Sequence, residues 1–184
     1  TMVNADEASV RSALGEAGAT AATAAPSAVA PASSITILHF NDVYNIEHGG
    51  KPSGGAARFV AAIRAQKEAD PDALVFFSGD AFNPSIMSTM TAGLQMPPIL
   101  NACGVHTALL GNHDFDLGLE QLSALLAACD FPWMLSNARL KSDGAPLGGG
   151  LVTRLFEHRG RTLGLVGLIE EEWLATLATI DVDD

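Results

Sequence analysis

From residue 34 onward, short apolar runs alternate with segments of helical period. Residues 34–40, 73–77 and 105–110 read as strands, and the second of these, Ala73-Leu74-Val75-Phe76-Phe77, is apolar at every position, as in a strand buried on both faces. Between them, residues 56–68 place Phe59, Val60 and Ile63 on one helical face, and residues 95–103 begin at Pro97-Pro98 and stop at Gly104. A further helix carries Leu119, Leu122, Leu125, Leu126 and Cys129 on one face, and residues 132–136 resume an extended run. Sustained strand and helix alternation predicts an α/β fold, a layered sheet of mostly parallel strands with flanking helices.

The remaining segments are less regular. Residues 42–55, rich in Gly and Pro, and residues 80–90 read as loops. Two final apolar runs, 151–156 and 162–169, flank His158-Arg159-Gly160-Arg161 as a hairpin, which would make the sheet mixed. Residues 1–33, dominated by Ala, Ser, Thr and Pro, hold too few large apolar side chains to offset the entropy of ordering them and read as a flexible tail, with a short helix near 7–16 as an option. Residues 34–184 then form the folded unit. Its end, 170–184, begins a helix without a closing strand, as in the N-terminal part of a larger domain truncated at its C-terminus.

Composition narrows the function classes. The 184 residues are 48% hydrophobic and 17% charged, which excludes disorder throughout. With 21 acidic against 10 basic residues, the net charge of -11 repels a phosphate backbone and argues against nucleic acid as a partner. A phosphorylated small molecule stays compatible if divalent cations invert the local field. No stretch is long and apolar enough to span a bilayer, so no membrane partner is expected. Cys103 and Cys129 sit in apolar settings and read as reduced thiols. The missing secretory signal and disulfide framework lean toward the cytoplasm without fixing a compartment.

Candidate chemistry lies at the strand ends. The three runs empty into Asn41-Asp42, Ser78-Gly79-Asp80 and Gly111-Asn112-His113-Asp114-Phe115-Asp116. If the strands are parallel neighbours, their carboxyl ends bring these groups to one edge, where α/β folds place ligands. Asp42, Asp80 and Asn112 are hard oxygen donors of the kind two divalent cations require, with Asp80 the natural bridge. Singly, each has an ordinary reading as a turn or capping residue; their repetition at three successive strand ends favours a site. His113 lies three residues before Asp116, close enough for the carboxylate to orient the imidazole and favour its protonated form. His106, inside the third strand, reads as structural. Gly54-Gly55-Ala56-Ala57-Arg58 would let the backbone pass close to the site with Arg58 facing it, or be a flexible loop and a solvated arginine.

Together, Asn41-Asp42-Val43, Gly54-Gly55-Ala56-Ala57-Arg58, Ser78-Gly79-Asp80-Ala81-Phe82 and Gly111-Asn112-His113-Asp114-Phe115-Asp116 resemble the successive motifs of the calcineurin-like metallophosphoesterases, in particular the 5'-nucleotidases. The resemblance runs in order from about residue 35 to the C-terminus. It implies a hydrolase of phosphoric esters with two divalent metal ions (Mn, Zn, Mg or Fe), a nucleotide substrate, and hydroxide attack on phosphorus. By the same resemblance Asp42 binds one metal, Asp80 bridges both, Asn112 binds the second, and His113 with Asp116 forms the catalytic dyad. One departure stands out: Tyr44 occupies the place of the histidine in the family's commoner Asp-x-His motif, so Tyr44 as a phenolate, His39 or His48 would have to serve there. The family's later histidine ligands and base-binding domain fall beyond residue 184. Two other readings follow: a non-catalytic relative acting as an interaction module, and a nuclease, which the acidic charge disfavours.

Overall fold

In the computed structural model, residues 3–4, 34–47, 49, 54–177 and 179–180 are described. The core element is a four-stranded sheet of Ile37–Phe40 (β2), Leu74–Phe77 (β3), Thr107–Leu109 (β4) and Trp133–Met134 (β5), in the order β2-β3-β4-β5 with every pairing parallel. Helices Ala56–Ala69 (α1), Ile86–Thr91 (α2), Pro97–Cys103 (α3) and Gly118–Ala127 (α4) supply the crossovers. The α/β architecture expected from the alternation is therefore present. All three acid-bearing strand ends lie at the same sheet edge, because parallel strands share a direction.

One face of the sheet is sealed by aromatic and aliphatic side chains. Phe40 meets Phe59 of α1 at 4.8 Å between ring centroids and Phe77 at 5.1 Å. Trp133 on β5 contacts Phe77, Phe82 and Phe131. Val75, Phe77, Phe82, Leu110, Phe115, Leu122 and Leu125 are all at most 1% exposed. Phe82 and Phe115 belong to the loops that follow the acidic strand ends, so the same packing that fills the core pins those loops; truncating either ring would cost about 3–5 kcal/mol. Pro97 opens α3 and Gly104, in the left-handed region at φ 67°, ends it, as their positions suggested.

Three expectations are corrected. Residues 86–91, expected as loop, form α2, because Ser85 and Ser88 cap each other: Ser85 Oγ accepts the Ser88 N–H at 2.9 Å and Ser88 Oγ accepts the Ser85 N–H at 2.8 Å. The sheet is not mixed. Thr153–His158 (β7) and Arg161–Val166 (β8) do form the expected antiparallel hairpin, but as a separate two-stranded sheet. Its turn, Arg159-Gly160, has positive φ at both residues, the geometry that matches strand twist. The expected helix near the C-terminus is a 3-10 turn, Glu172–Thr176.

Val3–Asn4 (β1) pairs antiparallel with Ala138–Arg139 (β6); otherwise the expected tail, the optional helix at 7–16 and His48 lie outside the described residues. Both cysteines are free, and burial pushes each thiol up to about 11. Among the described residues no helix is long and apolar enough to cross a membrane.

Candidate active site

Asp42 and Asp80 occupy equivalent places, each just past a strand and each with positive φ, 56° and 66°. Such a backbone is strained for a residue with a Cβ, and it persists because neighbouring bonds over-determine it. The Asp42 N–H donates to Gly79 O and the Val43 N–H to Asp80 O, both at 3.1 Å, locking the two turns together. Tyr44 sits between the carboxylates, its hydroxyl donating to Asp42 Oδ1 at 2.7 Å and lying 3.2 Å from Asp80 Oδ2. Asn41 Nδ2 also donates to Asp42 Oδ2.

The second half of the cluster follows β4. The His113 N–H donates to Asp80 Oδ1 at 2.9 Å, and His113 Nδ1 lies 2.8 Å from Asp116 Oδ2, the pair expected from their spacing. Asp116 Oδ2 also accepts from Asn83 Nδ2 at 2.6 Å. Asp42, Tyr44, Asp80, His113 and Asp116 are thus joined in one hydrogen-bonded chain. Asn112 flanks it, but its Nδ2 donates to Thr176 Oγ1 at 3.3 Å instead. His39 is not in the cluster: it bonds Ser78 Oγ at 2.7 Å and, one residue before Phe40, faces the opposite side of the sheet. There it lines a cavity of about 210 Å³ with Phe76, Thr107, Met134 and Val166. His106 is structural, its Nδ1 accepting the Val75 N–H at 3.0 Å.

Asp114, given no role above, organises the site. Fully buried, it accepts from Ala81 N and Phe82 N through Oδ1, at 2.8 and 3.3 Å, and from Gly111 N and Asp80 N through Oδ2, at 2.9 and 3.0 Å. One carboxylate thereby clamps the loop after β3 to the loop after β4. The fit is close enough that a Cβ on Gly79 would overlap the Gly111 backbone, and one on Gly111 would overlap the Asp80 carboxylate. Asp114 stands three residues after the glycine that ends the apolar run, which is capping-box spacing; that was the available signal.

Electrostatics follow from crowding. Burial is the largest influence on Asp80 and raises its carboxyl above the ordinary range, with the Asp42 charge adding to it against the hydrogen bond from His113. Burial pushes Asp114 up to about 6, against its backbone donors. Burial also raises the Tyr44 phenol, as do its hydrogen bond to Asp42 and the Asp80 charge. For His113, burial pulls downward, yet the hydrogen bond to Asp116 and the surrounding carboxylates outweigh it and leave the imidazole above its usual value. Beside the cluster opens a cleft of about 480 Å³ lined by Asp42, Tyr44, Gly55, Arg58, Phe59 and Met96, which places Arg58 on the same cleft as the acids.

As cation donors, the cluster offers Asp42, Asp80 and Tyr44 oxygens, converging through a single hydroxyl. Among the described residues no group of three or more His, Cys, Asp or Glu is arranged to hold a metal ion. Asp42 and Asp80 supply carboxylate oxygens of the kind a hard divalent cation prefers, without by themselves completing a coordination shell.

A parallel α/β sheet with an acidic, histidine-equipped cluster at its carboxyl edge has its polar groups where α/β folds place ligands. The family model of the calcineurin-like phosphoesterases matches residues 35–182, and the chain belongs to that family. It is 30% identical over 152 residues to the 5'-nucleotidases of Rattus norvegicus and Homo sapiens, covering 75% of this chain and 26% of theirs. The chain thus spans about a quarter of the length of the curated relatives it matches. Two solved structures share the fold: Haemophilus influenzae NAD nucleotidase, with TM-score 0.68 and 22% identity over 79% of this chain and 31% of that one, and the Thermus thermophilus 5'-nucleotidase precursor, with TM-score 0.62 and 23% identity over 73% and 28%.

Proposed function

We propose that the protein containing this chain is a metal-dependent phosphoric ester hydrolase acting on nucleotides, with the 34–184 segment supplying the N-terminal part of the catalytic site. The observation that carries the reading is the joining of Asp42, Tyr44 and Asp80 to the His113–Asp116 pair at the carboxyl edge of one sheet. The 5'-nucleotidase relatives support the substrate class.

Asp42, Asp80 and Asn112 would supply the oxygen donors that hold divalent cations, with Tyr44 standing beside Asp42. Bound cations supply Lewis-acid polarisation of the phosphoryl group and lower the pKa of water, giving a nucleophile near neutral pH. His113, with Nδ1 committed to Asp116, presents Nε2 as its remaining polar atom; protonated, it stabilises negative charge developing on the phosphoryl oxygens. Asp116 orients that ring and favours its cationic form. Arg58, on the same cleft, adds positive charge where an anionic substrate enters.

The test is hydrolysis of AMP and a generic aryl phosphate by the full-length protein, metal-free and with Mn, Zn or Mg, beside His113→Ala and Asp80→Ala. Metal-dependent turnover lost in both variants supports the reading. Absence of turnover with every metal overturns it in favour of a non-catalytic interaction module.

A further inference from the structure

Asn83 and Ser88 lie outside every motif described above, and they extend the His113–Asp116 pair inward. Asn83 Nδ2 and His113 Nδ1 converge on the same carboxylate oxygen, Asp116 Oδ2, at 2.6 and 2.8 Å. The other end of the Asn83 amide, Oδ1, is 2.9 Å from the hydroxyl of Ser88, a residue with no solvent exposure. Ser88 Oγ in turn accepts the Ser85 N–H, and its proton lies within reach of Asn83 Oδ1 and Ser85 O. We infer that Asn83 is the positioning residue of the His113–Asp116 pair and that Ser88 anchors the inner end of its amide.

An amide carries a donor at one end and an acceptor at the other. Reversed, Asn83 would set its oxygen against a carboxylate. The Asp116 carboxylate, which can only accept, selects the orientation in which Nδ2 faces it and Oδ1 faces inward, where the buried Ser88 hydroxyl meets that oxygen. Two donors on one oxygen then stop the Asp116 carboxylate from rotating, and the imidazole is held with Nδ1 as its donor nitrogen. The outward placement of Nε2 thus rests on Asp116, held by Asn83, whose amide Ser88 helps to anchor.

The kinetic consequence rests on the phosphoesterase reading; the effect on the His113 ring does not. The experiment uses the full-length protein and its Asn83→Asp and Ser88→Ala variants. It measures kcat and KM on an aryl phosphate, thermal unfolding, and the two-bond 1H–15N correlation of His113 at a pH where the ring is neutral. Asn83→Asp keeps the shape but replaces the donor with an acceptor. We expect kcat to fall roughly ten- to hundredfold, as for other groups that orient a catalytic side chain, with KM held within about twofold. The His113 spectrum is expected to lose its single Nδ1–H signature, and Ser88→Ala to give a smaller change in the same direction. An unchanged kcat together with an unchanged His113 signature in Asn83→Asp overturns the inference. If the wild-type protein hydrolyses nothing, the phosphoesterase reading fails, and the spectrum alone decides: an Nδ1–H signature that survives Asn83→Asp overturns the positioning role. Should Asn83→Asp fail to fold, Ser88→Ala is judged by the same two readouts.

Discussion

At the amino end of the parallel sheet, Arg159 from the β7–β8 turn reaches Asp70 at 2.8 Å and Asp72 at 3.0 Å. At the carboxyl end, Asp42, Asp80, Asp114 and Asp116 gather around His113. Both ends are rich in charge, but at the first each acid meets a cation in solvent. There a hydrogen bond from Thr36 and the Arg159 charge hold the Asp70 carboxyl below its ordinary value. At the second, Asp80 is raised by burial and by a neighbouring carboxylate. Negative charge has been concentrated where the protein itself supplies little relief, an arrangement whose cost a bound cation or a protonated imidazole offsets.

This contrast can be broken most severely at Asp114. Asp114→Ala would leave four backbone N–H groups without their acceptor, each costing about 1–3 kcal/mol if unsatisfied, so a loss of at least about 3 kcal/mol is expected in denaturant unfolding. Only slightly less is expected from divalent cation. At a hundredfold excess over its dissociation constant, a cation bound only by the folded state adds about 2.7 kcal/mol. The corresponding rise in melting temperature should vanish in Asp80→Asn and persist in Arg159→Ala.

A smaller effect sharpens the comparison through pH. The folded value of His113 is raised, so its contribution to stability is fully present below the unfolded value of about 6.5 and is lost as pH rises through the folded one. In metal-free protein, stability should therefore fall as pH rises above about 6.5, and His113→Ala should remove that slope. The smallest effect belongs to the amino end. Arg159→Ala is expected to leave the melting temperature where most surface substitutions leave it, since exposed ion pairs contribute little.

Much of this contrast was legible along the chain. Residues 73–77, apolar without interruption, announced a strand buried on both faces, and β3 lies at the centre of the sheet accordingly. The His113–Asp116 bond could be read because its partners are three residues apart. What escaped were bonds whose ends lie far apart in sequence: Asp114 clamps residues more than thirty positions earlier, and Asn83 reaches forward to Asp116 over a similar distance. Helix α2 escaped for another reason. Its start depends on two serines capping each other, and Ser-x-x-Ser lacks the acidic residue that usually signals such a start. The hairpin was recognised, but its separation from the main sheet depends on how Leu151 and Gly167 meet β5 and the residues after it, which local pattern does not encode.

The contact between Gly79 and Gly111 has a consequence for anyone who would transplant this site. With no room for a Cβ on either side, the turn after β3 and the turn after β4 form one interlocked part. A graft of the His113 loop alone onto another α/β scaffold would arrive without the surface it was shaped against. Both turns would have to travel together, with Asp114 between them. Ile86 and Met90, largely exposed on α2, stand clear of that joint and are where sequence can be varied in a library without first rebuilding the acidic edge, provided the buried Ser88 is kept.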